Sequence, residues 1–171
     1  MHRCRHGYCY NHRAGVILVP KINISEMKWV GGSGYPSAFS EITKGRMRKR
    51  LGNEVGLDQF GINLTRLAPG AGTALRHWHE NEDEFVYVLE GSPTLIEDDG
   101  ETLLHPGDAA GFKAGVANGH HIVNQSEEDV ILLEIGTRAA TEKAHYPDDD
   151  LAAIKDESGF NFLHKNGDPY A

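Results

Sequence analysis

Between residues 60 and 136 apolar and polar positions alternate in short runs. Phe60, Ile62 and Leu64 alternate with Gly61, Asn63 and Thr65, a period of two that predicts a strand with one buried face. Similar runs follow at 73–79, 84–89, 93–97, 102–104, 109–112, 120–124 and 129–135. Between them lie turn residues: APGAG at 68–72, Glu90-Gly91, Asp98-Asp99-Gly100, HPGD at 105–108 and a Gly-rich stretch at 113–119. Gly, Pro, Asn and Asp close chains through conformations that other residues resist, and Asp-Asp-Gly between two runs is a hairpin signal. No useful helical period interrupts the region. Short strands at even spacing predict an all-β sandwich or barrel.

The flanks have a different texture. Residues 16–24 (VILVPKINI) predict a strand or extended segment, 31–36 (GGSGYP) a loop, and 38–50 weak helix at best. After Gly136 the chain turns polar and acidic through 150. Residues 151–157 predict a short helix, and Phe160, Phe162 and Leu163 supply enough apolar surface to dock a tail. The expected organisation is a disordered N-terminus at 1–15, N-terminal strands and loop at 16–59, a barrel at 60–136 and a C-terminal tail with a short helix at 137–171.

Composition narrows the function classes. A chain of 171 residues can bury a core without staples. Its net charge of −8 argues against nucleic acid, whose phosphates demand clustered cations. The basic run at 44–50 (KGRMRKR) reads as a solvated loop or turn in preference to an anion site. Two cysteines, Cys4 and Cys9, form no disulfide framework, and with His2, His6 and His12 they match no strong zinc spacing. With no secretory signal and no apolar run of membrane-spanning length, a cytoplasmic chain without a membrane partner is expected.

The chemistry concentrates in two stretches. His77 and His79 are two apart, so on a strand both rings face one side. Glu84 opens the next strand after an acidic turn and returns beside them through a hairpin. His120 opens a later strand, with Asn124 four residues on and on the same face. Three neutral imidazoles and one carboxylate suit a single divalent ion (Zn, Mn, Fe or Ni) with open positions for water or substrate.

The stretch GTALRHWHENEDEFVYVLEG (72–91) resembles the first motif of the cupin superfamily: glycine, His-x-His, a glutamate after four residues, and a glycine six further on. Gly72 departs by one residue, leaving four before His77 instead of five. GDAAGFKAGVANGHHIVN (107–124) is similar to the second motif, ending in His, three residues and Asn. Lys113 stands where that motif has proline, and the loop before the histidine is longer. The longer loop leaves His121 as an alternative ligand, and parity with Asn124 favours His120. With LTRLAPGAG and the ending HKNGDPY, residues 25–171 resemble small single-domain bacterial cupins, some described as sugar-phosphate isomerases. The resemblance implies a double-stranded β-helix (jelly-roll) barrel, a metal on His77, His79, Glu84 and His120, a small-molecule ligand in the barrel, and a homodimer.

On the strand from Glu84, Val86 and Val88 share the carboxylate's face, whereas Phe85, Tyr87 and Leu89 face outward and need covering, by the terminal segments or a second subunit. Phe112 and Asn124 are candidates to face substrate. Parity places Arg76 and Trp78 outside the lumen. His105, His145 and His164 read as surface histidines, and Tyr35, Tyr146 and Asp148 lie where a barrel mouth could recruit them. No catalytic residue is assigned. A metal-dependent enzyme on a small polar metabolite, such as a sugar-phosphate isomerase with Arg46, Arg48, Lys49 or Arg50 on the phosphate, is one reading. A metal-dependent dioxygenase or decarboxylase and a non-catalytic ligand-binding cupin are the others.

Overall fold

A computed structural model describes residues 21–157 and 159–170, preceded by the backbone of a small ribbon in which β1 (Cys4–Arg5) pairs with β2 (Tyr8–Cys9). The side chains of the Cys/His-containing N-terminus and the run expected at 16–20 lie outside the described residues. Residues 21–24 are not strand.

One wall of the barrel is a five-stranded antiparallel sheet. Its order is β3 (Arg46–Arg50), β4 (Phe60–Leu67), β11 (Val130–Thr137), β6 (Glu84–Glu90) and β9 (Ala109–Phe112). The facing wall has two parts. One is β10 (His121–Val123), β7 (Thr94–Glu97) and β8 (Gly100–Leu103); the other is β14 (Gly159–Leu163), β13 (Leu151–Asp156), β12 (Glu142–Tyr146) and β5 (Trp78–His79). Segment 72–79 joins them: Gly72 and His77 bridge to Val123 and His120 on one side, and Trp78 and His79 pair with His145 and Ala144 on the other.

The core sits between the walls. Leu67, Val88, Val130 and Leu132 from the first meet Leu95, Leu104 and Ile122 from the second, all buried. A second apolar cluster, Ala144, Tyr146, Leu151 and Ala153 with Tyr35, Phe39 and Phe162, fastens the C-terminal strands. The parity of the strand from Glu84 holds: Val86 and Val88 are buried, while Phe85, Tyr87 and Leu89 are 41%, 37% and 41% exposed. Gly91 turns the chain out of β6 with φ of 81°, and a Cβ there would meet the Asp129 carbonyl oxygen at 2.8 Å. The space and the backbone angle both require glycine.

Three expectations are corrected. The basic run is not a loop: residues 46–50 form edge strand β3, following two short 3-10 turns, Ser37–Phe39 and Glu41–Thr43, in place of the weak helix. Its parity sorts the cations, with Arg46 and Arg48 facing the lumen and Lys49 turned away to donate to the Ile24 carbonyl over the Trp29 ring. The C-terminal helix expected at 151–157 is strand β13, because pairing with β12 and β14 satisfies its backbone on both edges. Of the strand expected at 73–79, only Trp78–His79 is regular. The one α-helical turn among the described residues is α1 (Leu51–Glu54), and none of their helices is long and apolar enough to cross a membrane.

Candidate metal centre

Three imidazole nitrogens converge on one carboxylate oxygen. Glu84 Oε2 lies 3.0 Å from His120 Nε2, 3.4 Å from His79 Nε2 and 3.6 Å from His77 Nε2. The histidines come from the composite wall and Glu84 from the five-stranded wall, so closing the barrel assembles the site. All four expected side chains cluster at Glu84, and His120, not His121, is the one of the adjacent pair within 3.0 Å of its carboxylate.

Two of the imidazoles are oriented by a hydrogen bond at the other nitrogen. His77 Nδ1 is 2.8 Å from the Leu75 carbonyl and His120 Nδ1 is 3.3 Å from that of Asn118. His79 Nδ1 is 3.4 Å from Glu142 Oε1, at ion-pair distance yet without hydrogen-bond alignment, and so is buried without a hydrogen-bonded partner. Glu142 is itself buried and accepts the backbone N–H groups of Glu80 and Asn81, each at 2.8 Å. Phe112 stacks on His120 with rings nearly parallel at 3.6 Å, and Tyr146 stacks on His77 at 5.7 Å.

This set fits a metal ion. Donors bound at about 2.0–2.2 Å around one centre sit roughly 3 Å from one another, and the spacing of Glu84 Oε2 from each Nε2 is of that order; His77, His79 and Glu84 offer donor atoms all within 4.8 Å of one another, with His120 joined to the group through Glu84. A metal-bound imidazole typically turns its remaining N–H to a carbonyl or carboxylate, as the Nδ1 atoms of His77 and His120 do. Burial alone would raise the Glu84 carboxyl, yet hydrogen bonds from His120 and His77, with the charges of His77 and His79, hold it well below the usual carboxylate range. Burial lowers His79, whereas on His77 the adjoining Glu84 outweighs burial and raises it. A second cluster, His79, Glu82 and Glu142, shares His79 with the first. Glu82 is occupied by Lys155 at 2.8 Å and by the backbone N–H of Ala139 at 2.9 Å.

The four residues line a cavity of about 610 Å³. Small residues, Gly61, Ala74, Gly136, Ala144 and Ala153, keep it open. Tyr35 and Tyr146 line it, as their places near loop ends allowed, and burial raises both phenols above the ordinary range. His121 lines it too, with Nδ1 3.0 Å from the Ala74 carbonyl. Asn124 does not face substrate: fully buried, it donates to the carbonyls of Leu67 and Glu128. Arg76 stays outside, paired with Asp98 and with Asp148 at 2.7 Å. Trp78 stacks on His145 at 4.1 Å. Glu142 and Glu134 were missed from sequence.

The chain belongs to the cupin superfamily. The cupin domain family matches residues 63–136. A crystal structure of a sugar phosphate isomerase from a cupin superfamily, from Silicibacter pomeroyi, is 45% identical with a TM-score of 0.85, covering 89% of this chain and 97% of that one. A protein from Acidithiobacillus ferrooxidans, provisionally named a sugar phosphate isomerase, is 32% identical over 74% of this chain and 80% of its own, with a TM-score of 0.67. A polyketide cyclase from Streptomyces resistomycificus, 22% identical over 70% of this chain and 80% of its own with a TM-score of 0.58, shares the fold. No protein of curated function matches the chain.

Proposed function

We propose that this cupin is a metal-dependent enzyme that isomerises a small phosphorylated sugar, with one divalent ion on His77, His79, Glu84 and His120. The observation that carries the reading is the convergence of three Nε2 atoms within 3.6 Å of Glu84 Oε2, bordering a cavity of metabolite size. The names of the two relatives at 45% and 32% identity support the substrate class.

The bound ion would polarise the carbonyl or hydroxyl of the substrate as a Lewis acid. The chain supplies the rest. His121, anchored on the Ala74 carbonyl through Nδ1, keeps Nε2 free to take a proton from the carbon beside the carbonyl and return it to the neighbouring carbon. Tyr35 and Tyr146, kept protonated by burial, are hydrogen-bond donors to the sugar hydroxyls. Phe112 and Phe162 exclude water from the cavity walls. In the same reading the exposed Phe85, Tyr87 and Leu89 stripe is the surface by which two copies pair, and sedimentation of a stable dilute monomer would contradict it.

The test is turnover of a panel of aldose and ketose phosphates by metal-loaded protein in deuterated water. Interconversion with deuterium entering at the carbon beside the carbonyl is expected. Failure of every substrate to convert or exchange would contradict the isomerase reading.

A further inference from the structure

Four cationic side chains line the cavity: Arg46, Arg48, Arg138 and Lys155. Three have an evident compensation. Arg48 is clamped by Glu134 through two bonds, Nε to Oε2 at 3.0 Å and Nη2 to Oε1 at 3.1 Å, and the Thr65 hydroxyl donates to the same carboxylate. Lys155 pairs with Glu82. Arg138 is exposed at the rim, where it donates to the Leu57 carbonyl at 2.8 Å and to the Asn53 side-chain oxygen.

Arg46 differs. It is partly buried, and its bonds go to backbone carbonyls, Nη1 to Thr73 and Nη2 to Gly32 at 3.3 Å. No carboxylate among the described residues lies within ion-pair distance of it. Carbonyl oxygens accept its hydrogens without neutralising its charge. A partly buried charge without a contacting counter-ion is costly, and burial together with the neighbouring Arg48 charge, offset only in part by Glu134 and Tyr35, lowers its pKa to about 10. The fold therefore holds a guanidinium fork, a shape that matches phosphate or carboxylate oxygens, beside a cavity and with no carboxylate in direct contact, the nearby Glu134 being engaged by Arg48.

We propose that Arg46 anchors the anionic group, phosphate or carboxylate, of the molecule that occupies this cavity, with Arg48 held by Glu134 as its fixed neighbour. The assignment deepens the small-metabolite reading above and rests on it. The distance suits one small molecule. Thr73, which Arg46 grips, precedes His77 by four residues, a span of at most about 14 Å even for a fully extended chain. Two phenols connect the ends: Tyr146 stacks on His77, Tyr35 meets Tyr146 edge-on at 5.8 Å, and the Arg46 charge acts on Tyr35. A ligand whose oxygens reach the histidines would lay its other end against Arg46. Of the four cations expected from the basic run, the structure singles out this one: Lys49 is turned out of the lumen, and Arg50 is exposed and does not line the cavity.

The test is calorimetric titration of metal-free protein with inorganic phosphate and, separately, with malonate, so that anions held by an ion are not counted. Saturable binding of one or both is expected, weakened roughly tenfold or more by Arg46→Met, as loss of charge-assisted hydrogen bonds predicts. Arg138→Met, at the rim, should change it less than about twofold. The preferred anion identifies the chemistry of the tail. Absence of binding by the wild type, an Arg46→Met variant that binds as the wild type does, or an equal loss in Arg138→Met would each overturn the assignment. Should Arg46→Met fail to fold, Arg46→Gln, which retains donors for the two carbonyls, takes its place with the same two readings. Because the titration uses no metal and no turnover, it can fail while the isomerase reading survives, and the reverse.

Discussion

Along three neighbouring strands the lumen changes character from one end to the other. Leu67, Thr65, Asn63 and Gly61 share the inward face of β4; Val130, Leu132, Glu134 and Gly136 share that of β11; Val88, Val86 and Glu84 share that of β6. The register sets these in cross-strand rows: Thr65 beside Leu132 beside Val88, then Asn63 beside Glu134 beside Val86, then Gly61 beside Gly136 beside Glu84. The first row is completely buried. The last contains two glycines and a carboxylate, and it opens on the cavity. The same pleat and hydrogen bonds run through both ends, so the fold is secured where side chains fill space and the chemistry sits where they are withheld. Stability and metal binding should therefore separate on mutation.

The sharpest separation is expected at the ligands. His77→Ala should abolish stoichiometric binding of a divalent ion, read by elemental analysis after dialysis, while far-ultraviolet circular dichroism stays unchanged. Leu132→Ala should do the reverse. Emptying a fully buried site costs about 2–5 kcal/mol in urea unfolding, with metal stoichiometry retained in the folded protein. If either variant lost both properties together, the two ends would be one cooperative unit and the comparison would break.

Glu142→Gln probes how far the polar end extends. The neutral amide removes the charge facing His79 Nδ1 and keeps one acceptor oxygen for one of the two N–H groups, of Glu80 or Asn81, that the carboxylate holds. Metal affinity should fall about 10- to 100-fold, the usual cost of losing an outer partner. A merely structural Glu142 would shift the unfolding midpoint and leave the metal dissociation constant alone.

The smallest effect lies outside the lumen. The hydrogen bonds and charge of Arg76 hold the Asp148 carboxyl below its ordinary value of 3.8. A depressed folded-state pKa contributes stability above the unfolded value and loses it as pH falls through the folded one. Comparison of wild type with Asp148→Asn should show less than about 1 kcal/mol at neutral pH, because the carboxylate is exposed, and the difference should decline as pH falls past 3.8 and vanish only below the depressed folded-state pKa. A difference that grew in acid would contradict the pairing.

What could be read from sequence follows which forces are local. Strand parity placed His77, His79 and Glu84 on inward faces and Phe85, Tyr87 and Leu89 outside, because alternation is written in consecutive residues. The relation of His120 to Asn124 used the same rule. Residues 151–156 misled because Leu, Ala and Lys are good helix formers in isolation, and only the neighbouring strands β12 and β14 decide otherwise. The basic run misled because strand β3 takes shape from pairing with β4, and its lumen-facing arginines become intelligible only once Glu134, 86 residues beyond Arg48, lies opposite. Glu142 was invisible for the same reason: its partner His79 is brought to it by the pairing of β5 with β12.

The most direct measurement is electron paramagnetic resonance of protein stripped of metal and titrated with Mn²⁺. One ion per chain is expected, with nitrogen hyperfine couplings from coordinated imidazoles that are reduced in His120→Ala. Non-saturable binding, or a nitrogen-free signal that His120→Ala leaves unchanged, would contradict the centre.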